Sequence, residues 1–331
     1  MDAVPAKIGV IGCGMWGRNI VRNAASLGIL HAVCDSHTGR MTDFADQFGC
    51  LALSDEQLFS DPEIDGVMLT SSAISHHKLA LRALKSGKHV YIEKPMAMSV
   101  AEAEDINRVA SQMDRQVMVG HLIRYHPVFV ELQNQIKLGT IGQLRHIQAN
   151  RLAMGRIRNT ESVLFDLCPH DISLILAIAG QAPTLVRCQG ISHITPGLPD
   201  ILSTSFGFPS GLSAGMQTSW LNPEKEHKLT VIGTSGSLVF DDTRPWPEKL
   251  ILYQDRIEAN GEMFVIDRAS PMPLPLAEDE PLKAEVSQFA HLCQTGVAAR
   301  TNGEEGLAVQ MVMEQMQNNY IDLSTPQASS G

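Results

Sequence analysis

The stretch "KIGVIGCGMWGRNIVRNAASLG", residues 7–28, does more than any other to limit the folds open to this chain. A short apolar run, Ile8 to Ile11, meets glycines 12, 14 and 17, and helical spacing follows at Ile20, Val21 and Ala24, so the order is strand, tight turn, helix. Each glycine has its own physical task. Gly12 permits the turn, Gly14 lets the backbone approach a pyrophosphate, Gly17 lets the helix lie close to the strand, and the helix N-terminus then faces the anion. Met15 and Trp16 stand inside the same turn and join the cofactor-binding set. Glycine-rich turns are common, so the context has to carry the assignment. "LHAVCDS" supplies it: a second apolar strand ends in Asp35, 18 positions after Gly17, near the offset of about 20 residues at which an acid meets the adenosine ribose hydroxyls. The plain alternative is that Asp35 caps a turn. A carboxylate there repels a 2′-phosphate, so NAD is expected over NADP, and Arg40 is the residue that argues the other way.

The pattern repeats downstream. "IDGVMLTSS" reads as a strand and loop, "HHKLALRALKSG" as a helix and "KHVYIEKP" as a further strand. Alternating strands and helices imply right-handed crossovers and a parallel sheet, whose ligands sit beyond the carboxyl ends of the strands. Ser71, Ser72, Glu93 and Lys94 all emerge at that rim. Pro95 removes a backbone donor and biases Lys94 towards an extended conformation, which lets its side chain be aimed. An ammonium near a carbinol stabilises the alkoxide that develops as hydride leaves; Glu93 either holds that lysine or reaches the cofactor ribose.

The chain has 331 residues, enough for two apolar cores, and carries a net charge of −10 with scattered basic residues, which argues against a nucleic-acid surface. Six cysteines stand apart without a CxxC pair, so neither a metal site nor a disulfide frame is expected, and a reducing cytoplasm fits best. "MDAVPAKIGVIGCG" is too short in apolar residues for a secretory signal or a membrane span. The final "STPQASSG" reads as a loose tail.

After "VMVGHLIRYHPVF" the texture changes. "LRHIQANRL", "TLVRCQGISHI", "LSTSFGF", "LSAGMQTSWL", "HKLTVIGTSGSLVFDD" and "KLILYQ" favour strands, and one apolar helix, "ESVLFDLCPHDISLILAIAG", interrupts them. The expected fold is α/β: a Rossmann dinucleotide-binding domain over residues 1–122, then an α+β domain over 123–331 with a large, mainly antiparallel sheet covered on one face by helices. Asp166 and His170 are four apart and can share a helix face, the acid orienting the imidazole, although Pro169 interrupts the hydrogen-bond ladder and either starts or kinks the helix there. Asp171 reads as a cap or an ion-pair group.

"GVIGCGMWG", "CDS", "SHHKLALRALKSGKHVYIEKP", "GHLIRYHP" and "DLCPHDIS" together resemble the glucose-fructose oxidoreductase/inositol dehydrogenase (Gfo/Idh/MocA) family, from Ile8 to about Tyr320. The resemblance implies that Lys94 lies in the active site, that Pro95 is cis, and that Asp166 and His170 complete the site opposite the lysine. It also implies a homo-oligomer, dimer or tetramer, joined through the C-terminal sheet. His76 matches a family histidine of the nicotinamide loop, and Ser72 departs from the proline common four residues before it. "GxWGxNxVRN" and "GRIR...DLxPHDI" are most similar to the branch acting at C3 of nucleotide-linked amino sugars, with UDP-N-acetylglucosamine preferred over its uronic acid. That branch implies a 3-keto product passed to an aminotransferase, in lipid A or surface polysaccharide synthesis. Arg124, Arg156 and Arg158, with Arg151 beside them, are the candidate substrate-phosphate ligands. Lys94 and His170 can exchange the role of base on this reading. A dehydrogenase of unlinked sugars or inositol, and a non-catalytic NAD-binding regulator, are the alternatives.

Overall fold

The structure is a computed structural model that describes residues 5–155, 157–159, 161–261 and 263–323. Arg156 and the whole of "STPQASSG" therefore lie outside the described residues. In chain order the elements begin β1 (Ile8–Ile11), α1 (Gly17–Ser26), β2 (Leu30–Cys34), α2 (Thr38–Phe48), β3 (Leu51–Ala52), α3 (Asp55–Ser60), β4 (Gly66–Leu69), α4 (Ala73–Lys85), β5 (His89–Glu93), α5 (Val100–Gln112) and β6 (Val117–Gly120). A 3₁₀ turn, Leu122–Tyr125, leads to α6 (Pro127–Lys137), β7 (Leu144–Met154), α7 (Val163–Asp166), α8 (Cys168–Ala179), β8 (Leu185–Ile191), β9 (Ile201–Gly207) and β10 (Ser213–Ser219). The remainder is β11 (Leu221–Gly233), β12 (Ser237–Asp241), β13 (Leu250–Tyr253), β14 (Arg256–Asn260), β15 (Met263–Asp267), β16 (Met272–Pro273), α9 (Pro281–Thr295), α10 (Gly303–Asn318) and β17 (Tyr320–Asp322).

The described residues fall into two units, one within 1–125 plus 279–311 and one within 126–278 plus 312–331. The first holds a six-stranded sheet in the order β3-β2-β1-β4-β5-β6, every pair parallel. β1 and β4 are buried throughout, as strands covered on both faces must be. The order reverses at β1, and this places the turn after β1 and the loop after β4 side by side at the carboxyl edge. α5 starts directly beyond the EKP corner, where Ser99 accepts from the N–H of Glu102 and Glu102 reaches back to the N–H of Met98.

A single boundary after residue 122 is not what the chain adopts. It returns to the first unit over 279–311, because α9 has an apolar stripe, Leu282, Val286, Phe289 and Leu292, that joins Ile8, Val10 and Tyr91 in one core. The second unit is built on a nine-stranded sheet, β16-β13-β12-β11-β7-β10-β9-β8-β17, with only β7/β10 and β8/β17 parallel. α8 packs on β7 and β10. The expected single helix is two: α7 stops at Asp166 and α8 starts at Cys168, with Pro169 in its first turn, where a missing N–H is harmless. No helix among the described residues is long and apolar enough to cross a membrane.

Candidate active site

The glycine turn is built as its spacing requires. Gly12 has φ +101°, and a Cβ there would fall 2.7 Å from the Ser71 nitrogen; one on Gly17 would fall 1.9 Å from the Gly12 oxygen. A Cβ on Gly14, by contrast, would meet nothing within 4 Å. Gly14 therefore faces open space, in a cleft of about 710 Å³ that Gly12, Asp35, Arg40, Ser71 and Ser72 also line. The Asp35 carboxylate is held by the N–H groups of Cys13 (2.7 Å) and His37 (2.8 Å), and Arg40 donates to both its oxygens at 3.2 and 3.3 Å. Burial by itself raises the Asp35 pKa, but these two N–H groups and the guanidinium outweigh it and hold the acid below the usual carboxylate value. Ser71 shares a hydrogen bond with Ser75 (2.7 Å), and Ser72 precedes the first turn of α4.

The EKP corner is tied to this cleft from two sides. His76 is buried, with Nδ1 2.9 Å from the Pro95 carbonyl and Nε2 3.1 Å from the Ser71 carbonyl, so it joins the corner to the loop after β4. Burial lowers its pKa, with both carbonyls working the other way. Glu93 turns inward. It accepts from Trp16 Nε1 (2.6 Å), from the Tyr91 hydroxyl (2.8 Å) and from the backbone N–H of Lys94 (3.2 Å). Trp16 thus latches the glycine turn to the corner, while its ring and Met15 remain exposed. The Lys94–Pro95 peptide is cis, and Lys94 is half-buried.

In the second unit, Asp166 closes α7 and His170 lies in the first turn of α8, both half-buried. Asp166 accepts from Trp220 Nε1 at 3.1 Å and lies 3.5 Å from an Arg158 nitrogen; Arg158 also pairs with Glu161 at 3.1 Å. Arg151 is not a phosphate ligand here: its guanidinium grips Asp171 through two bonds of 2.9 and 2.8 Å, both groups buried, so the ion-pair role expected of Asp171 is the one seen. Arg124 belongs to the first unit, where it is buried against Glu305 at 3.1 Å, and His121 binds the other oxygen of that acid at 2.6 Å. Arg158 alone of these described arginines is exposed, with Arg156 outside the described residues.

Residues 6–121 match the Gfo/Idh/MocA oxidoreductase family, NAD-binding Rossmann fold, and residues 129–239 match the C-terminal domain of the same family. The chain belongs to the Gfo/Idh/MocA family. Among curated members it is 27% identical to UDP-N-acetylglucosamine 3-dehydrogenase of Acidithiobacillus ferrooxidans, over 93% of this chain and 97% of that one. It is also 27% identical to myo-inositol 2-dehydrogenase of Thermotoga maritima, over 91% and 92% respectively. A solved structure of the Acidithiobacillus enzyme superposes with a TM-score of 0.83 at 24% identity, covering 96% of this chain and 98% of that one.

The chain is accordingly an oxidoreductase of this family with an NAD-binding domain. Its residues fit the cofactor: Gly14 leaves the cleft open where a Cβ would intrude, α1 presents its N-terminus, and Asp35 is an ionised acceptor on the cleft wall. Sequence reasoning missed the two side chains packed behind Glu93, Tyr91 and Glu285. Glu285 was legible in outline, since it stands between Leu282 and Phe289 on the apolar stripe of "PLKAEVSQFAHLCQT". Its partner was not, because Tyr91 and Glu285 are 194 positions apart.

Proposed function

We propose that the protein oxidises the C3 hydroxyl of a UDP-linked amino sugar, UDP-N-acetylglucosamine, to a 3-keto sugar with NAD. One observation carries this reading: the likeness to the UDP-N-acetylglucosamine 3-dehydrogenase runs through both units, so it takes in the cofactor side and the substrate side alike. NAD, when bound, supplies the hydride acceptor. Gly12, Gly14 and Gly17 with the N-terminus of α1 bind its pyrophosphate, and Asp35 binds the adenosine ribose. His76, through the Pro95 and Ser71 carbonyls, holds the corner on which Lys94 stands. Lys94 polarises the reacting oxygen, His170 takes the hydroxyl proton and Asp166 positions His170. Arg156 and Arg158 meet the diphosphate. The protein works as a homo-oligomer joined through its nine-stranded sheet, in the cytoplasm, and an aminotransferase consumes its ketone.

The test is to incubate the protein with NAD and a panel of UDP-sugars, with an aminotransferase present to trap the ketone, and to identify products by mass. A UDP-linked 3-amino product that vanishes with Lys94→Ala supports the reading, and its absence across the panel rejects it. Arg158→Ala and Arg156→Ala separate the substrate classes: unchanged affinity for the nucleotide sugar rejects the diphosphate role. A second reading, an unlinked inositol or sugar as substrate, is favoured by the equal identity to the myo-inositol enzyme. It predicts NADH formation from inositol that is indifferent to both arginines.

A further inference from the structure

The face of the parallel sheet covered by α9 holds two buried carboxyl groups around one phenol. Glu285 has no exposure and Glu93 is 8% exposed, and between them stands Tyr91, also fully buried. The Tyr91 Oη is 2.8 Å from Glu93 Oε1 and 3.1 Å from Glu285 Oε2. Phe289 packs edge-on to the phenol ring at 5.9 Å, and a Cβ on Gly120 would fall 2.5 Å from the hydroxyl, so the group is walled in.

A phenol has one proton to donate. It satisfies one of these two carboxyl oxygens, and the other pair is then lone pair against lone pair unless a second proton is present. Two ionised carboxylates buried around one hydroxyl also repel each other. The second proton belongs on Glu285. Burial raises the Glu93 pKa, but the Trp16 indole N–H and the Lys94 backbone N–H work against that rise and favour its anion. Among the described residues Glu285 has no such donors, and its buried Oε1 has no hydrogen-bond partner there.

We propose that Glu285 is a neutral carboxylic acid that donates to Tyr91, which donates in turn to Glu93, making Glu285 a positioning residue that keeps the EKP carboxylate ionised. The chain runs Glu285 Oε2–H to Tyr91 Oη–H to Glu93 Oε1, and no covalent bond is exchanged. Burial first, then the charge of Glu93, pushes the Glu285 pKa well above the usual carboxylate value. Burial likewise pushes the Tyr91 pKa well up, so the phenol keeps its proton. The other ionisable groups turned toward the chain are Lys94 beside Glu93 and, from the 3₁₀ turn, Tyr125, over whose ring the Arg300 guanidinium lies at 5.1 Å. The function of the device rests on the reading of Glu93 as a cofactor-side group: ionised, it keeps Trp16 and hence the pyrophosphate turn in place.

Two experiments test it. The first is NADH binding across a pH series. Glu285→Gln replaces the acid with a neutral donor of the same shape, and affinity and pH profile stay within about twofold of wild type. Tyr91→Phe removes a donor from the Glu93 anion, which raises its pKa, so the acid limb of binding moves to higher pH; Glu285→Leu leaves the Tyr91 hydroxyl on Glu93 but takes away the donor behind it, and moves the limb the same way by less. An acid limb moving to lower pH in Glu285→Gln means that a negative charge was removed, and overturns the proposal; so does an unmoved limb in Tyr91→Phe. The second needs neither cofactor nor substrate. The infrared difference between wild type and Glu285→Gln, taken in mildly alkaline buffer, contains the carbonyl stretch of a protonated carboxylic acid. Its absence overturns the neutral state of Glu285 whatever the enzyme oxidises. Its presence with no product from any UDP-sugar rejects the substrate reading alone.

Discussion

Asp35→Asn tests the cofactor cleft most directly. The carboxylate accepts from two backbone N–H groups, is paired with Arg40 and stays ionised because these donors outweigh its burial. In the proposed role of ribose acceptor it would make two charge-assisted hydrogen bonds, each contributing about 1.5 kcal/mol at the lower end, or ~3 kcal/mol together. Asparagine keeps one neutral acceptor, for about 1 kcal/mol, so the net loss is ~2 kcal/mol, or about thirtyfold in NADH affinity. NADPH moves the other way, because the anion that repels its 2′-phosphate is gone and Arg40 loses its partner. The assay is titration of both reduced nucleotides by fluorescence, with a thermal melt as control. One of the N–H groups of Cys13 and His37 is left poorly served, at a cost of about 1 kcal/mol, which the fold tolerates. NADH affinity within about threefold of wild type, in a folded protein, would refute the ribose role and leave Asp35 as a turn cap.

Three further outcomes are expected. His76→Phe cuts the tie between the Pro95 and Ser71 carbonyls, and lowers turnover more than it weakens NADH binding; equal turnover in steady-state assays refutes the positioning role. Asp171→Ala leaves the Arg151 guanidinium buried without its acid and destabilises by about 3–5 kcal/mol in urea denaturation, and a loss below about 1 kcal/mol counts against it. His227 is held down to about 4, by burial first and then by Arg151 and Lys225, with Asp171 and Asp242 opposing. Its folded pKa lies below the ordinary histidine value of about 6.5, so as pH falls through that value the unfolded chain takes up a proton that the folded one refuses. Stability is therefore lost between about 6.5 and 4, and His227→Gln flattens that window in urea midpoints taken at stepped pH; an unchanged slope rules the histidine out.

Much of the first unit was legible because its signals are local. Gly12 and Gly17 stand where the turn leaves no room for a Cβ, Gly14 is read from its spacing between them, and the strand before and helix after them follow from periods of two and 3.6. Asp35 was legible from its distance along the chain, and Lys94 from the proline beside it. The helical segment expected over 161–180 has the apolar pattern read for it, and the interruption that Pro169 implied falls between Asp166 and Cys168, since pattern reports which face is buried while the proline decides where the hydrogen-bond ladder can start.

Alone, the amino-acid order determined the βαβ turn, the acid at the end of the second strand, the parallel sheet and the existence of a strand-rich second half, because short-range sterics and periodicity specify these within about 30 residues. Tertiary structure alone decided partners. It sent Arg151 to Asp171, Arg124 to Glu305 and Trp16 to Glu93, and it returned α9 to the first sheet so that Glu285 reaches Tyr91. The physical reason is that a charged or polar side chain removed from water must find a complement, and which complement is near depends on how distant segments pack, a quantity that no local pattern contains.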